Sequence, residues 1–90
     1  TLLYTEVINH TLHFYTTTDC ITASGAPSLR QLTDELAAKG FARCHHGYLL
    51  NLNFVTQYNK SSVSIGEHVL PLSRTYFKDF TQHLLSYWGG

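Results

Sequence analysis

The sequence predicts a mainly β fold, in which short antiparallel sheets stack on each other and two short helices pack against them. Short runs that alternate between apolar and polar residues recur between turn-forming residues, a pattern typical of half-buried strands. Two other segments place leucine or aromatic residues at helical spacing after a serine that can cap a helix. Because strands follow one another without alternating with helices, the sheets are expected to be antiparallel. A chain of 90 residues is expected to form one domain, residues 1–90.

Three strands are predicted at the start of the chain. Residues 2–7 and 11–17 alternate in polarity, and Asn9 lies between them, where its tolerance of the left-handed conformation favours a tight turn. Asp19 indicates a second turn, followed by a third strand near Ile21. The residues that end this strand are expected to be Gly25 and Pro27.

The first helix is predicted directly afterwards. Ser28 is a suitable N-cap, and Gln31 three residues later completes the capping-box pattern. Lys39 and Gly40 are typical of a helix C-terminus. The apolar face consists of three leucines about one turn apart: Leu29, Leu32 and Leu36.

The second half of the chain is predicted to contain more strands and a final helix. The extended segments are residues 41–44, 48–50, 54–58, 63–65 and 69–72. Gly66 and Glu67 form the short connection of a hairpin, and Ser73 is the expected N-cap of the last helix. One side of that helix carries large apolar residues: Tyr76, Phe77, Phe80 and Leu84.

Charge is sparse in this sequence. Charged residues make up 13% of it, and six Lys and Arg balance six Asp and Glu to a net charge of zero. A broadly positive surface, of the kind that attracts nucleic acid or anionic lipid, is therefore not expected. Six histidines can add positive charge as the pH falls below neutrality.

The sequence also indicates where the protein resides. No apolar run reaches the length of about 18 residues that a membrane-spanning helix needs, and no signal peptide is recognisable. The only cysteines, Cys20 and Cys44, fit a reducing cytoplasm better than a secreted, disulfide-linked protein. We therefore expect a cytoplasmic protein with no membrane partner. Because methionine is absent, we also expect a fragment of a longer chain.

The residues offer little for catalysis or metal binding. Zinc prefers cysteine and histidine, but the sequence has no Cys-x-x-Cys or His-x-x-x-His pair. Cys44 beside His45 is a poor nucleophile pair, because neighbouring side chains on a strand diverge. Asp34 and Glu35 are expected to be solvated on the first helix. We expect no enzyme activity, no catalytic residue, no metal and no other cofactor.

Residues 41–51 concentrate polar and cationic groups between aromatic residues, and two interpretations stay open from the residues alone. In the first, Phe41, Tyr48 and Leu50 enter the core while their polar neighbours form hydrogen bonds around an irregular strand crossing. In the second, the segment is a recognition loop on a rigid β scaffold.

Four motifs occur in order along the chain. They are Glu6 followed by Asn9-His10, the leucine-striped helix ending in Gly40-Phe41, Phe41-x-Arg43-x-His45 before Tyr48-Leu49-Leu50-Asn51, and Leu70-Pro71-Leu72-Ser73-Arg74. Each is weak alone, but their order and spacing, which cover nearly the whole chain, resemble the LytTR family of bacterial DNA-binding domains.

This resemblance implies an elongated all-β fold, attached in most members to a receiver domain or another sensory domain. It implies a bacterial transcription regulator of the two-component response-regulator type. Such proteins bind double-stranded DNA at paired, imperfect direct repeats and insert loop residues into successive major grooves. Two copies are therefore expected to meet on DNA as a dimer.

The resemblance also assigns functional positions. The family's three DNA-contacting positions fall on His10, His46 and Arg74, and Arg74 is the best donor because its planar guanidinium can bond guanine O6 and N7 together. Arg43 and His45 match positions of internal support. Further candidates for supporting or phosphate contacts are neighbours of the three main positions: Asn9, Ser73 and Lys78.

The sequence departs from the family pattern in two ways. Gly47 stands where the family commonly has serine, which removes a hydroxyl that could contact phosphate, whereas Leu50 in place of the more usual valine is neutral. The chain also begins near the family's third strand. We therefore expect the first strands to be missing and the opening strand to lie at a sheet edge, exposed or shared with a partner.

Two alternatives to a simple DNA-binding domain remain. The zero net charge and the expected open edge favour a protein-interaction or dimerisation module with weak DNA affinity. A positive ridge formed by Arg30, Lys60 or Lys78 near the contact positions would favour DNA instead. A redox-responsive DNA binder would require an exposed Cys44 with a lowered pKa.

Overall fold

The computed structural model describes residues 2–24 and 28–89. In chain order its strands are β1 Leu2–Ile8, β2 Thr11–Thr16, β3 Cys20–Ser24, β4 Phe41–His45, β5 Tyr48–Asn51, β6 Val55–Tyr58, β7 Ser62–Ile65 and β8 His68–Pro71. Its helices are α1 Leu29–Leu36 and α2 Arg74–Gly89. The predicted fold class is confirmed, and the molecule measures 35 × 25 × 24 Å.

The strands form two antiparallel sheets. The larger has the order β3-β2-β1-β5-β4, and the smaller has the order β6-β7-β8. β1 pairs with β5, so that Tyr4 faces Leu50 and Glu6 faces Tyr48. In an antiparallel pair the end of one strand meets the start of its neighbour. The turn after β1 and the turn before β5 therefore project from the same end of the sheet.

The expectation of an open edge at the first strand is wrong. β1 pairs with β2 on one side and with β5 on the other, so it lies in the middle of the sheet. The outer strands of this sheet, in the described ranges, are β3 and β4. At the end of β4 the Ser73 backbone N–H donates to the Cys44 carbonyl at 2.9 Å, which joins β4 to the start of α2.

Both faces of the larger sheet are covered. Leu49 and Leu50 are adjacent in β5, point to opposite faces and are both 0% exposed. Leu49 packs with Leu12 and with Leu29 of α1. Leu50 belongs to the main core, which also contains residues from the smaller sheet and from α2: Val63, Ile65, Leu70, Phe80 and Leu84. The sheet is thus fixed between α1 and the remainder of the protein.

Local sequence signals are confirmed around α1 and in the β7–β8 hairpin. The Gln31 N–H donates to Ser28 Oγ at 3.2 Å, and the Ser28 N–H donates to Gln31 Oε1 at 3.1 Å, so the capping box is present. Gly40 has a φ of 86° and ends the helical region after a 3₁₀ turn. Gly66 in the hairpin has a φ of 63°, as the two-residue connection requires.

Three predicted strands include a residue that lies outside the observed strand. Thr17 lies after β2, which ends at Thr16. Phe54 lies in a 3₁₀ turn before β6, because the Asn51 side chain accepts a hydrogen bond from the Asn53 N–H at 3.0 Å and turns the chain there. Leu72 lies just after β8 but is buried. The predicted strand end at Gly25 and Pro27 lies outside the described residues.

The redox interpretation of Cys44 is also wrong. The Cys44 side chain is 0% exposed in the main core, and burial raises the pKa of its thiol to about 12. A thiol of this kind forms little thiolate at neutral pH and is poorly nucleophilic. Cys20 is exposed, and both thiols are free.

The α1 stripe gives a test of the packing. Leu29 is 7% exposed, whereas Leu32 and Leu36 are half-buried, so Leu29 is the main anchor of α1. We expect Leu29→Ala to lower the free energy of unfolding by about 2–4 kcal/mol, and Leu32→Ala by less. Leu85→Ala is the matched control, since that leucine is 57% exposed. Chemical denaturation measures all three, and equal midpoints for Leu29→Ala and Leu85→Ala would show that α1 does not pack on the sheet.

Candidate nucleic-acid interface

The turn between β1 and β2 carries His10 at its tip. Asn9 has a φ of 49° and His10 a φ of 64°, and both residues are exposed. Ile8 pairs with Thr11 to close this two-residue turn. Left-handed values at both central positions define a type I′ turn, whose twist matches that of the flanking strands. The turn therefore presents His10 on a rigid hairpin.

The turn between β4 and β5 carries His46. An irregularity in the strand pairing between Arg43 and His45 precedes it. The Gly47 N–H donates to His45 Nδ1 at 3.1 Å, which ties the His45 ring to the backbone of the turn. His45 is half-buried and supports the turn, while His46 is exposed.

The two turns are joined directly. The Val7 N–H donates to the Gly47 carbonyl at 2.9 Å, next to the β1–β5 pairing. The Glu6 carboxylate accepts hydrogen bonds from the Tyr48 and Tyr15 hydroxyls. Burial and the bond to Glu6 raise the pKa of Tyr48, so its hydroxyl remains a donor. Strand register thus fixes the separation of His10 and His46.

A groove lies between these turns and α1, and both histidines line it. Two arginines, Arg30 and Arg43, share its wall, and none of the described residues that line it carries a carboxylate. Its apolar part consists of Val7, Leu12 and Leu29. Positive groups therefore converge here although the whole chain has a net charge of zero.

Arg43 forms several contacts below the β4–β5 turn. Its Nε donates to the His45 carbonyl at 3.2 Å, and its Nη2 donates to the His46 carbonyl and to the Tyr76 hydroxyl, the latter at 3.3 Å. The guanidinium carbon also lies 5.1 Å from the centre of the Tyr76 ring. Arg43 is half-buried and already has these internal partners.

Arg74 lies at the start of α2, beside the end of β4. The Thr75 N–H donates to Ser73 Oγ at 3.2 Å, which caps the helix, and Ser73 is anchored to Cys44 through its own N–H. Arg74 and Lys78 are exposed and lie one helical turn apart. This end of α2 therefore presents two cations on one side.

The structure brings together only some of the predicted site residues. His10, His46 and Arg43 line one groove, and Arg30 joins them. The remaining predicted residues lie outside the groove lining: Asn9, His45, Ser73, Arg74 and Lys78. Lys60 lies between β6 and β7, in the smaller sheet.

Sequence reasoning missed the role of Tyr76. Its helical spacing placed it in the apolar stripe of α2, but its hydroxyl accepts a hydrogen bond from Arg43 and its ring faces the guanidinium. The available signal is chemical, because a partly buried tyrosine usually finds a partner for its hydroxyl. No sequence pattern identifies that partner, which lies 33 residues away.

Across residues 2–24 and 28–89, no three side chains of the metal-binding types come together. Neither of the described helices is long and apolar enough to cross a membrane.

Comparison with known proteins identifies the family. No curated protein matches the sequence significantly. A solved structure described as the LytTr DNA-binding domain of a DNA response regulator from Bacillus cereus superposes with a TM-score of 0.79 at 21% identity, covering 92% of this chain and 80% of that one. The family model for the LytTr DNA-binding domain matches residues 1–85. The chain therefore belongs to the LytTR family, which is a family of DNA-binding domains rather than of catalysts.

Proposed function

We propose that this domain binds specific double-stranded DNA sequences in bacterial transcription regulation. In this proposal the β1–β2 and β4–β5 turns enter the DNA major groove, and the start of α2 engages the DNA beside them. The major groove is about 12 Å wide and admits a two-stranded β ribbon. A rigid hairpin tip such as that of His10 has suitable dimensions for this purpose.

The groove between the two turns and α1 is the observation that supports the proposal most. Two exposed histidines converge there with Arg30 and Arg43, and no carboxylate of a described residue opposes them. A duplex carries a negative charge about every 1.7 Å along its axis, so a local cluster of positive groups is sufficient to attract it. The distribution of charge therefore favours DNA over the alternative of a weakly binding protein-interaction module.

The residues proposed to contact DNA divide into two groups by their role. His10, His46 and Arg74 are proposed to read base edges, because imidazole and guanidinium present directed donors. Four residues beside them are proposed to position the domain on phosphates, the exposed Asn9, Arg30 and Lys78 and the half-buried Ser73. Because few cations take part, affinity is expected to fall only moderately with salt.

Membership of the family supports a proposal for the wider context of the domain. We propose that a longer cytoplasmic regulator contains it, with a receiver or other sensory domain that controls its activity. Two copies would bind paired direct repeats. Since direct repeats have the same polarity along the duplex, the two copies would bind head to tail.

Arg74 provides the test of base reading. We expect Arg74→Ala to weaken binding to a duplex selected from a random-sequence library by about 1–3 kcal/mol, with relaxed preference at one base position and little change for a random duplex. Lys78→Ala is the matched control, one helical turn away, and should weaken both duplexes similarly as a phosphate contact. Fluorescence anisotropy at fixed salt gives the affinities.

The reverse pattern would contradict this assignment. If Arg74→Ala weakens binding to the selected and random duplexes by the same factor, Arg74 contacts phosphate and not a base. A parent domain that enriches no sequence from the library would contradict sequence-specific binding altogether.

The histidines predict a pH dependence. Because the field of the phosphates favours protonated imidazole, we expect His10 and His46 to take up protons when DNA binds. By linkage, affinity then rises as the pH falls from about 8 to about 6 at constant salt. His46→Gln keeps a hydrogen-bonding side chain but cannot gain charge, so it should flatten this profile.

His83→Gln is the control for the pH profile. His83 is exposed on α2, and it does not line the groove that contains His46. This variant should retain the parent's dependence on pH. A flat parent profile, or an equal change in both variants, would show that His46 does not gain a proton on binding.

A further inference from the structure

We propose that Arg43 and Tyr76 form a positioning pair that locks the His46 turn to the start of α2, so that His46 and Arg74 meet the DNA in one fixed arrangement. This inference rests on the proposed DNA-binding function. Arg43 and Tyr76 contact each other, and in this proposal they affect specificity by holding His46 and Arg74 in place.

Arg43 holds the backbone of the β4–β5 turn. Its guanidinium donates to the carbonyls of His45 and His46, which are the backbone of the turn itself. Two carbonyls held by one planar group restrict the turn more than a single bond would, because the guanidinium fork has fixed geometry. The orientation of the exposed His46 side chain therefore depends on where the guanidinium lies.

Tyr76 links Arg43 to the start of α2. Its hydroxyl accepts from Arg43 Nη2 at 3.3 Å, and its ring lies 5.1 Å from the guanidinium carbon. Tyr76 is in the first turns of α2, two residues after Arg74, and its own N–H donates to the Ser73 carbonyl at 3.1 Å. The guanidinium thus touches both elements that carry proposed base contacts.

The hydrogen bonds of Arg43 support a positioning role rather than direct recognition. Three hydrogen bonds already engage its Nε and Nη2 groups within the protein. A direct reader of guanine presents N–H groups from two neighbouring guanidinium nitrogens, and these bonds leave only Nη1 of Arg43 unengaged. Arg74 is exposed, which leaves it better placed for that task.

The test compares three single variants in the free domain and on DNA, and on DNA also the double variant of Tyr76→Phe with Arg43→Lys. Tyr76→Phe keeps the ring and removes the hydroxyl, and Arg43→Lys keeps the charge and removes the fork. Tyr87→Phe is the control, because it removes a hydroxyl of α2 whose hydrogen-bond partner is Asn53, at 3.1 Å, and not Arg43. Circular dichroism melts establish that each variant is folded, and Tyr76→Phe alone suffices for the test if Arg43→Lys does not fold.

In the free domain, amide hydrogen exchange at Gly47 reports on the turn. Its N–H donates to His45 Nδ1, so loosening of the turn exposes it. We expect faster exchange in Tyr76→Phe and in Arg43→Lys, and no change in Tyr87→Phe. Unchanged exchange at Gly47 in Tyr76→Phe would overturn the proposal without any reference to DNA.

On DNA, the readout is the ratio of affinities for a library-selected duplex and a random duplex of equal length. We expect Tyr76→Phe and Arg43→Lys each to reduce this ratio by about 2- to 30-fold, with random-duplex affinity nearly unchanged. The double variant should lose little more than Arg43→Lys alone, because both act through one contact. Additive losses would overturn the pairing.

The exchange and DNA-binding readouts distinguish failure of the positioning pair from failure of the proposed DNA-binding function. If exchange at Gly47 responds to Tyr76→Phe but the parent prefers no DNA sequence, the lock between turn and helix exists and the DNA-binding proposal fails. If the parent is specific and Tyr76→Phe changes neither readout, DNA binding stands and the positioning pair is refuted.

Discussion

The antiparallel pairing of β1 with β5 is the constraint on which the rest of the candidate interface depends. It places the end of one hairpin against the start of another, and the Val7–Gly47 backbone bond continues the ladder as far as the turns. A slip of one residue would move every side chain of β1 to the opposite face. The hydrogen bond from Tyr48 to Glu6 and the burial of Leu49 and Leu50 on opposite faces oppose such a slip.

Local concentration of charge reconciles a neutral chain with membership of a DNA-binding family. The acidic residues balance the basic ones in number, but none of the described residues lining the groove is acidic. Arg43 contributes to this field while holding the His46 turn, and Tyr76 extends that support to α2. A few rigidly held donors are then sufficient for specificity, and a broad positive surface is not needed.

Features set by neighbouring residues could be predicted from the sequence, whereas features set by strand order could not. The capping box at Ser28 and the turn at Asn9 follow from local hydrogen bonds and backbone preferences. The central position of β1 depends on contacts such as Glu6 with Tyr48, which are 42 residues apart. The family resemblance likewise predicts which positions contact DNA but not how they are arranged. The structure shows that His10 and His46 share a groove with Arg30, because this depends on contacts between distant segments.

DNA binding through the two histidine turns and the start of α2 is tested most directly by an NMR titration. The labelled domain is titrated with a library-selected duplex and followed through its backbone amides. Binding through these elements should give the largest shifts at residues 9–11, 46–47 and 74–78, while the β7–β8 turn at Gly66 and the edge strand β3 at Ile21 change little. Shifts confined to β3 and the β7–β8 turn, with the two histidine turns unaffected, would contradict it.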